Sequence, residues 1–155
     1  MTYAAHAEER VENWQEHLID SYAGIRRVIA ETRRIAVLGI KLGDHRPAFF
    51  VPEYAQHAGY EIVPVPVYYP EVTEMLGEQV YRTVSAIPDE IDMVNVFRRA
   101  EDIPAHLDDI IAKRPKSVWF QLGIVNDEAA ERLAREGIDV VQDRCLLVEL
   151  RRIGK

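Results

Sequence analysis

The sequence predicts a doubly wound α/β fold, a mainly parallel sheet with helices on both faces, and three observations carry that prediction. Short apolar runs alternate with amphipathic stretches of helical length along most of the chain. The runs lack every-second-residue polarity, the mark of strands buried on both faces. Glycine or proline follows several of them, where a strand would hand over to a loop. A chain of 155 residues, 48% of them apolar, is long enough for one domain with a substantial core.

The elements follow in order. Over residues 1–32 an N-terminal amphipathic helical extension is expected, because Trp14, Leu18, Tyr22, Ile25 and Ile29 recur at spacings of three and four. Such a helix either caps a sheet or joins a homodimer contact. "RIAVLG" (34–39) is a short apolar run ended by glycine, the profile of a parallel strand. "FFVPEYAQHAG" (49–59) reads as a helix closing at Gly59, with Pro52 either in its first turn or at a kink. "YEIVPV" (60–65) is a second strand, "VYRTVSAIP" (80–88) a short strand and turn, and "DMVNVF" (92–97) a further strand. "EDIPAHLDDIIAKR" (101–114) reads as a helix with Leu107, Ile110 and Ile111 facing inward. "KSVWFQLG" (116–123), "NDEAAERLAREG" (126–137), "IDVVQD" (138–143) and "CLLVELRR" (145–152) complete the alternation, with Asn126 as an N-cap and Gly137 at a C′ position.

Composition excludes several classes. A formal net charge of -7 opposes non-specific nucleic-acid binding. A single cysteine, Cys145, permits no internal disulfide and fits a reducing, cytoplasmic setting. No apolar stretch reaches membrane-spanning length, and "MTYAAHAEERVENW" is unlike a signal peptide.

In doubly wound folds ligands bind beyond the carboxyl ends of the strands, where strand order reverses. This places residues 39–47, 65–70, 97–99 and 121–126 along one rim. The first of these, "VLGIKLGDHRP" from 37 to 47, passes from apolar residues into glycines and cations. Gly39 and Gly43 permit close backbone approach, and Lys41, His45 and Arg46 supply charge beside a helix N-terminus, an arrangement that takes an anion. The same cations would otherwise offset neighbouring acids. Arg98 and Arg99 follow another strand end and suit a polyanion, or else pair with Glu101 and Asp102. The spacing of the glycines is not that of the dinucleotide fingerprint, and no acid ends the second strand.

The segments "VLGIKLGDHRP", "GYEIVPV", "LGEQVYRTVSAIP", "DMVNVFRRAEDIP" and "SVWFQLGIVNDEAAERLAREGIDVVQDRC" resemble the small stand-alone CoA-binding proteins. Those are similar in turn to the nucleotide-binding domain of the succinyl-CoA synthetase α subunit. The resemblance spans roughly residues 30 to 150. It implies a Rossmann-like domain holding coenzyme A or an acyl-CoA as its small-molecule ligand, in a groove along the sheet rim. Gly39, Ile40, Lys41, Gly43, His45 and Arg46 would then receive phosphates and nearby nucleotide. Phe97, Arg98 and Arg99 would flank the middle of the ligand, and Gln121, Gly123 and the motif's Asn126 the pantetheine arm. Pro66 and Tyr69 lie in the loop after the second strand, where the chain departs from many relatives in carrying Val65–Pro66–Val67 and a Tyr68–Tyr69 pair. Tyr68 or Tyr69 is the candidate to stack on adenine.

No Ser/His/Asp order, metal-ligand cluster or isolated carboxylate pair stands out. The reading is a binding module, a carrier, sensor or partner. The alternatives are an NAD-binding redox sensor and a small thiol-active enzyme using Cys145. Asp143 and Arg144 read as an ion pair at a strand end.

Overall fold

The computed structural model describes residues 12–155. Five parallel strands, β1 (Arg34–Leu38), β2 (Glu61–Val65), β5 (Met93–Val96), β6 (Ser117–Phe120) and β7 (Asp139–Val141), form one sheet in the order β2-β1-β5-β6-β7. A two-stranded hairpin of β3 (Glu74–Met75) and β4 (Glu78–Gln79) stands apart. Among the described residues, five α-helices surround the sheet: α1 (Tyr22–Ala30), α2 (Pro47–His57), α3 (Leu107–Lys113), α4 (Asp127–Arg135) and α5 (Leu146–Arg152). This is the Rossmann-like, doubly wound architecture that the alternation predicts.

Both faces of the sheet are dry, which explains the continuous apolar runs. Val94, Val96, Val118 and Phe120 pack on one side with Leu107 and Ile110 of α3 and Leu133 of α4. Ile35, Val37, Met93 and Trp119 pack on the other with α1, α2 and α5 through Ile25, Val51 and Leu146. Pro64 is tolerated because β2 is an edge strand. Its carbonyl takes the Tyr81 N–H at 3.0 Å. No helix among the described residues is long and apolar enough to cross a membrane.

Four element readings are corrected. The leading helix is shorter than expected: α1 begins after Ser21, whose side chain accepts the Gly24 N–H at 3.0 Å. Leu18 instead forms a parallel bridge to Val140 on the sheet edge, and Trp14–His17 is a single 3-10 turn. The part of that reading covering residues 1–11 lies outside the described residues. Residues 80–88 carry no strand. The nearest strands are β3 and β4, joined at Leu76 and Gly77 with φ of 54° and 76°, both left-handed as a tight hairpin turn requires. Residues 100–106 are 3-10 rather than α, since Pro104 has no N–H to continue an α ladder. Finally, α2 starts at Pro47, at N1, and Pro52 lies inside it.

Candidate functional site

Counting only the parallel strands, the order is 2-1-3-4-5, so the winding reverses between β1 and β5. Both strands end at the same place. Gly39 follows β1 with φ 86°, and a Cβ there would sit 2.3 Å from the Phe97 carbonyl oxygen beyond β5. Only glycine permits that approach.

The loop from Gly39 to Arg46 is tied down at two points. Pro52 cannot donate to the Ala48 carbonyl one turn back, and the Lys41 N–H takes that acceptor at 3.2 Å. The Leu42 N–H donates to the Tyr69 hydroxyl at 3.3 Å, so Tyr69 braces the loop. Tyr68, 53% exposed, presents its ring to the Lys41 ammonium at 5.7 Å and the Arg98 guanidinium at 5.9 Å. Arg46 occupies the N-cap of α2. The Ala48 N–H in the first turn has no intramolecular partner among the described residues.

Between these loops lies a groove of about 560 Å³, lined by Lys41, Arg46, Phe97, Arg98, Arg99 and Gln121 and completed by Pro47, Ala48, Ala100, Glu101 and Leu122–Ile124. Its charge is lopsided. Among the described residues neither Lys41 nor Arg46 has a carboxylate within ion-pair distance. Arg98 reaches Asp102 at 3.6 Å, and Arg99 reaches Asp102 at 3.0 Å and Glu101 at 3.7 Å. The two arginines therefore make the expected ion pairs and also line the groove.

Gln121 forms the floor and is only 4% exposed. Its Oε1 accepts from the Leu146 N–H and from Asn95 Nδ2, both at 3.3 Å. A backbone N–H is a donor only, which fixes the amide orientation and leaves Nε2 as the free donor. Asn95, wholly buried in β5, also donates to the Trp119 carbonyl at 3.3 Å. Sequence reading missed Asn95, because inside an apolar run it has no local signal.

Of the remaining expected site residues, Ile40, Gly43, His45, Pro66 and Asn126 lie outside the groove's lining and Gly123 lies within it. Ile40 is core. Gly43, φ 106°, lets the loop fold back against His45 and Arg46. Pro66 continues the chain after β2, whose Val65 carbonyl accepts the Gly39 N–H at 2.9 Å. Asn126 caps α4 through Ala129 N–H at 3.0 Å and donates to the Ala100 carbonyl at 2.9 Å. Gly123 lines the groove, but its N–H is held by Asp143 at 2.7 Å. Asp143 is thus engaged with this turn, and Arg144 reaches Glu149 at 4.0 Å, which replaces the expected Asp143–Arg144 pair. Cys145, half-buried at the start of α5, is not among the groove's lining residues.

A second cleft of about 650 Å³ lies at the opposite end of the sheet, lined by Arg26, Arg33, Tyr60 and Lys155 among others. It adjoins the C-terminal ends of α1, α2 and α5, where cations offset the negative helix ends. An anion there would face those same ends.

The family model described as a CoA binding domain matches residues 33–151. The chain belongs to this family. The CoA-binding domain is 36% identical over 128 residues to the uncharacterized protein YneT of Bacillus subtilis (strain 168), covering 83% of this chain and 93% of that one. Among solved structures it is similar to a Thermus thermophilus protein, cell-free ID.343, at 34% identity and a TM-score of 0.79, over 86% of this chain and 99% of that chain. A hypothetical protein from Pyrococcus horikoshii OT3 gives 31% identity and a TM-score of 0.79, over 86% and 92%. The match starts just before β1 and ends within α5, so every loop of the groove falls inside it.

Proposed function

We propose that this single-domain chain binds coenzyme A or an acyl-CoA in the groove at the strand ends and serves as a carrier, sensor or partner module without chemistry of its own. One observation carries the reading. In a chain of net charge -7, Lys41, Arg46, Arg98 and Arg99 line one groove at the reversal of the sheet. A ligand with several phosphate charges suits that concentration of cations, and the α2 N-terminus adds the free Ala48 N–H. Tyr68 offers an aromatic face beside Lys41 for the adenine ring. The pantetheine arm would run over Leu122 to Ile124, with Gln121 Nε2 donating to one of its amide carbonyls.

A thermal-shift titration with CoA, dephospho-CoA and NAD tests this. Ligand at a hundred times Kd adds about 2.7 kcal/mol, worth roughly 5–10 °C for a chain of this size. The expected result is a clear shift with CoA, a smaller one without the 3′-phosphate, and none with NAD. Arg46→Ala and Arg98→Ala should each weaken CoA binding about tenfold or more, the loss of a charge-assisted contact, whereas Cys145→Ala should leave it unchanged. Equal affinities across the three variants would overturn the assignment.

A further inference from the structure

Arg98 is held from behind as well as facing the groove. Its Nε lies 3.3 Å from His106 Nε2, and a terminal nitrogen lies 3.6 Å from Asp102. A guanidinium only donates, so His106 Nε2 must accept and the imidazole proton sits on Nδ1. His106 ends the 3-10 segment that α3 continues, and the contact fixes which way Arg98 points. From the positions of these groups we propose that neutral His106 is a positioning residue, aiming Arg98 at the ligand's phosphates, so that protonation of His106 releases the guanidinium and weakens binding. The inference rests on the reading of the groove as a CoA site.

The charged groups facing His106 among the described residues are Arg98, Asp102 and Asp109. Burial, then the Arg98 charge, pushes its pKa below the ordinary 6.5, against the opposing pull of Asp109 and Asp102. Asp109 is engaged elsewhere, accepting the Val84 and Ser85 N–H at 2.7 and 2.9 Å. Asp102 is shared with Arg99. Neither carboxylate is free to take over as the partner of a protonated ring. A protonated His106 can therefore no longer accept from Arg98 and repels the cation it had held.

The test compares the wild type with His106→Gln by calorimetric titration with CoA at about pH 7.5 and about pH 5, spanning the histidine range. Glutamine keeps a carbonyl acceptor near the Nε2 position and gains no proton. The ligand's own phosphate, which titrates near pH 6, contributes equally to both proteins, so only the difference between them counts. Wild-type affinity should fall about fivefold or more beyond the fall in His106→Gln, the size of one charge-assisted hydrogen bond. Equal falls in two proteins that both bind would overturn this inference alone. Absence of CoA binding by both proteins at both pH values would overturn the groove reading beneath it. A second measurement needs neither ligand nor the glutamine variant. The His106 ring proton, titrated by NMR, should show a higher pKa in Arg98→Ala than in the wild type. An unmoved value would mean that the two side chains are not coupled in solution.

Discussion

At the N-terminal ends of the strands Arg34, Glu61, Asp92 and Asp139 are paired within the chain, whereas at the C-terminal ends several cations and N–H groups are left open. At the lower end Asp92 accepts the Arg33 and Arg34 N–H at 3.0 and 2.9 Å and meets the Lys116 ammonium at 3.3 Å. Arg34 pairs with Glu61 at 2.7 Å, and Asp139 with His17 and Arg27 at 2.7 and 3.0 Å. At the upper end the loops use one another's backbone groups to hold their shape, but Lys41, Arg46, the Ala48 N–H and Gln121 Nε2 stay without partners among the described residues. At one end these charges are paired within the chain. The other is a frame with unpaired cationic charge, which is what a bound anion would neutralise.

The largest test exchanges one glycine at each end. Gly39 and Gly59 both hold left-handed backbone, with φ of 86° and 104°. A Cβ at Gly59 meets nothing within 4 Å, while at Gly39 it would sit 2.3 Å from the Phe97 carbonyl oxygen. Gly59→Ala should cost about 1–2 kcal/mol, the ordinary left-handed penalty, and leave CoA affinity alone. Gly39→Ala carries the same penalty plus separation of the β1 and β5 ends. About 3–5 kcal/mol is expected in urea unfolding, with CoA binding lost. Similar costs at both positions would mean that the upper junction yields more readily than its close contact implies.

Asp92 probes the lower end. Burial raises its pKa, but the Arg34 and Arg33 N–H groups and Lys116 outweigh that, so the folded value lies below 3.8. Folding therefore favours the ionised form. Its contribution is complete above about pH 3.8 and disappears as pH falls through the lower folded value. Asp92→Asn should lose about 1–3 kcal/mol at neutral pH, and the gap from the wild type should close in acid. CoA affinity should not change, since Asp92 stands at the far end of β5 from the groove. A variant that bound CoA more weakly would show that the two ends are not independent.

The division between ends also explains what the sequence made legible. The parallel strands were readable because burial on both faces leaves continuous apolar runs, and the rim loops because doubly wound topology puts every strand's carboxyl end on one side. The break in the leading helix was not, since it depends on Leu18 finding Val140. Nor was the hairpin at Leu76–Gly77, where leucine takes a left-handed position that asparagine or aspartate would have signalled. Within the site the cations were legible by type, but their supports were not. His106 lies eight residues from Arg98 and Asn95 lies 26 from Gln121, and no local pattern encodes either contact. Pro52 looked like a helix fault. Its missing N–H is what leaves the Ala48 carbonyl free to hold Lys41.

Asn95 offers the finest discrimination between frame and site. Its Nδ2 serves the Trp119 carbonyl and Gln121 Oε1, while its own Oδ1 is buried without a partner. Leucine has the same branching and the same number of side-chain heavy atoms, though bulkier methyl groups, and would remove both the two bonds and the orphaned acceptor. Two net hydrogen bonds are worth about 0.5–1.5 kcal/mol each, and an unsatisfied buried acceptor costs about 1–3 kcal/mol. These nearly cancel, which leaves the fitting of leucine's bulkier methyl groups into a packed core, about 1–3 kcal/mol, as the expected loss. Binding should respond as well. With one of its two acceptor contacts gone, the Gln121 amide is held by the Leu146 N–H alone, less firmly, and its Nε2 faces the ligand for less of the time. A several-fold weakening of CoA binding with a stability loss inside that range would assign Asn95 to the site. Unchanged affinity would leave Gln121 held by the Leu146 N–H alone. A stability loss above about 3 kcal/mol would mean that Oδ1 is bonded in solution, through a buried water of the kind that satisfies such groups, and that Asn95 belongs to the frame.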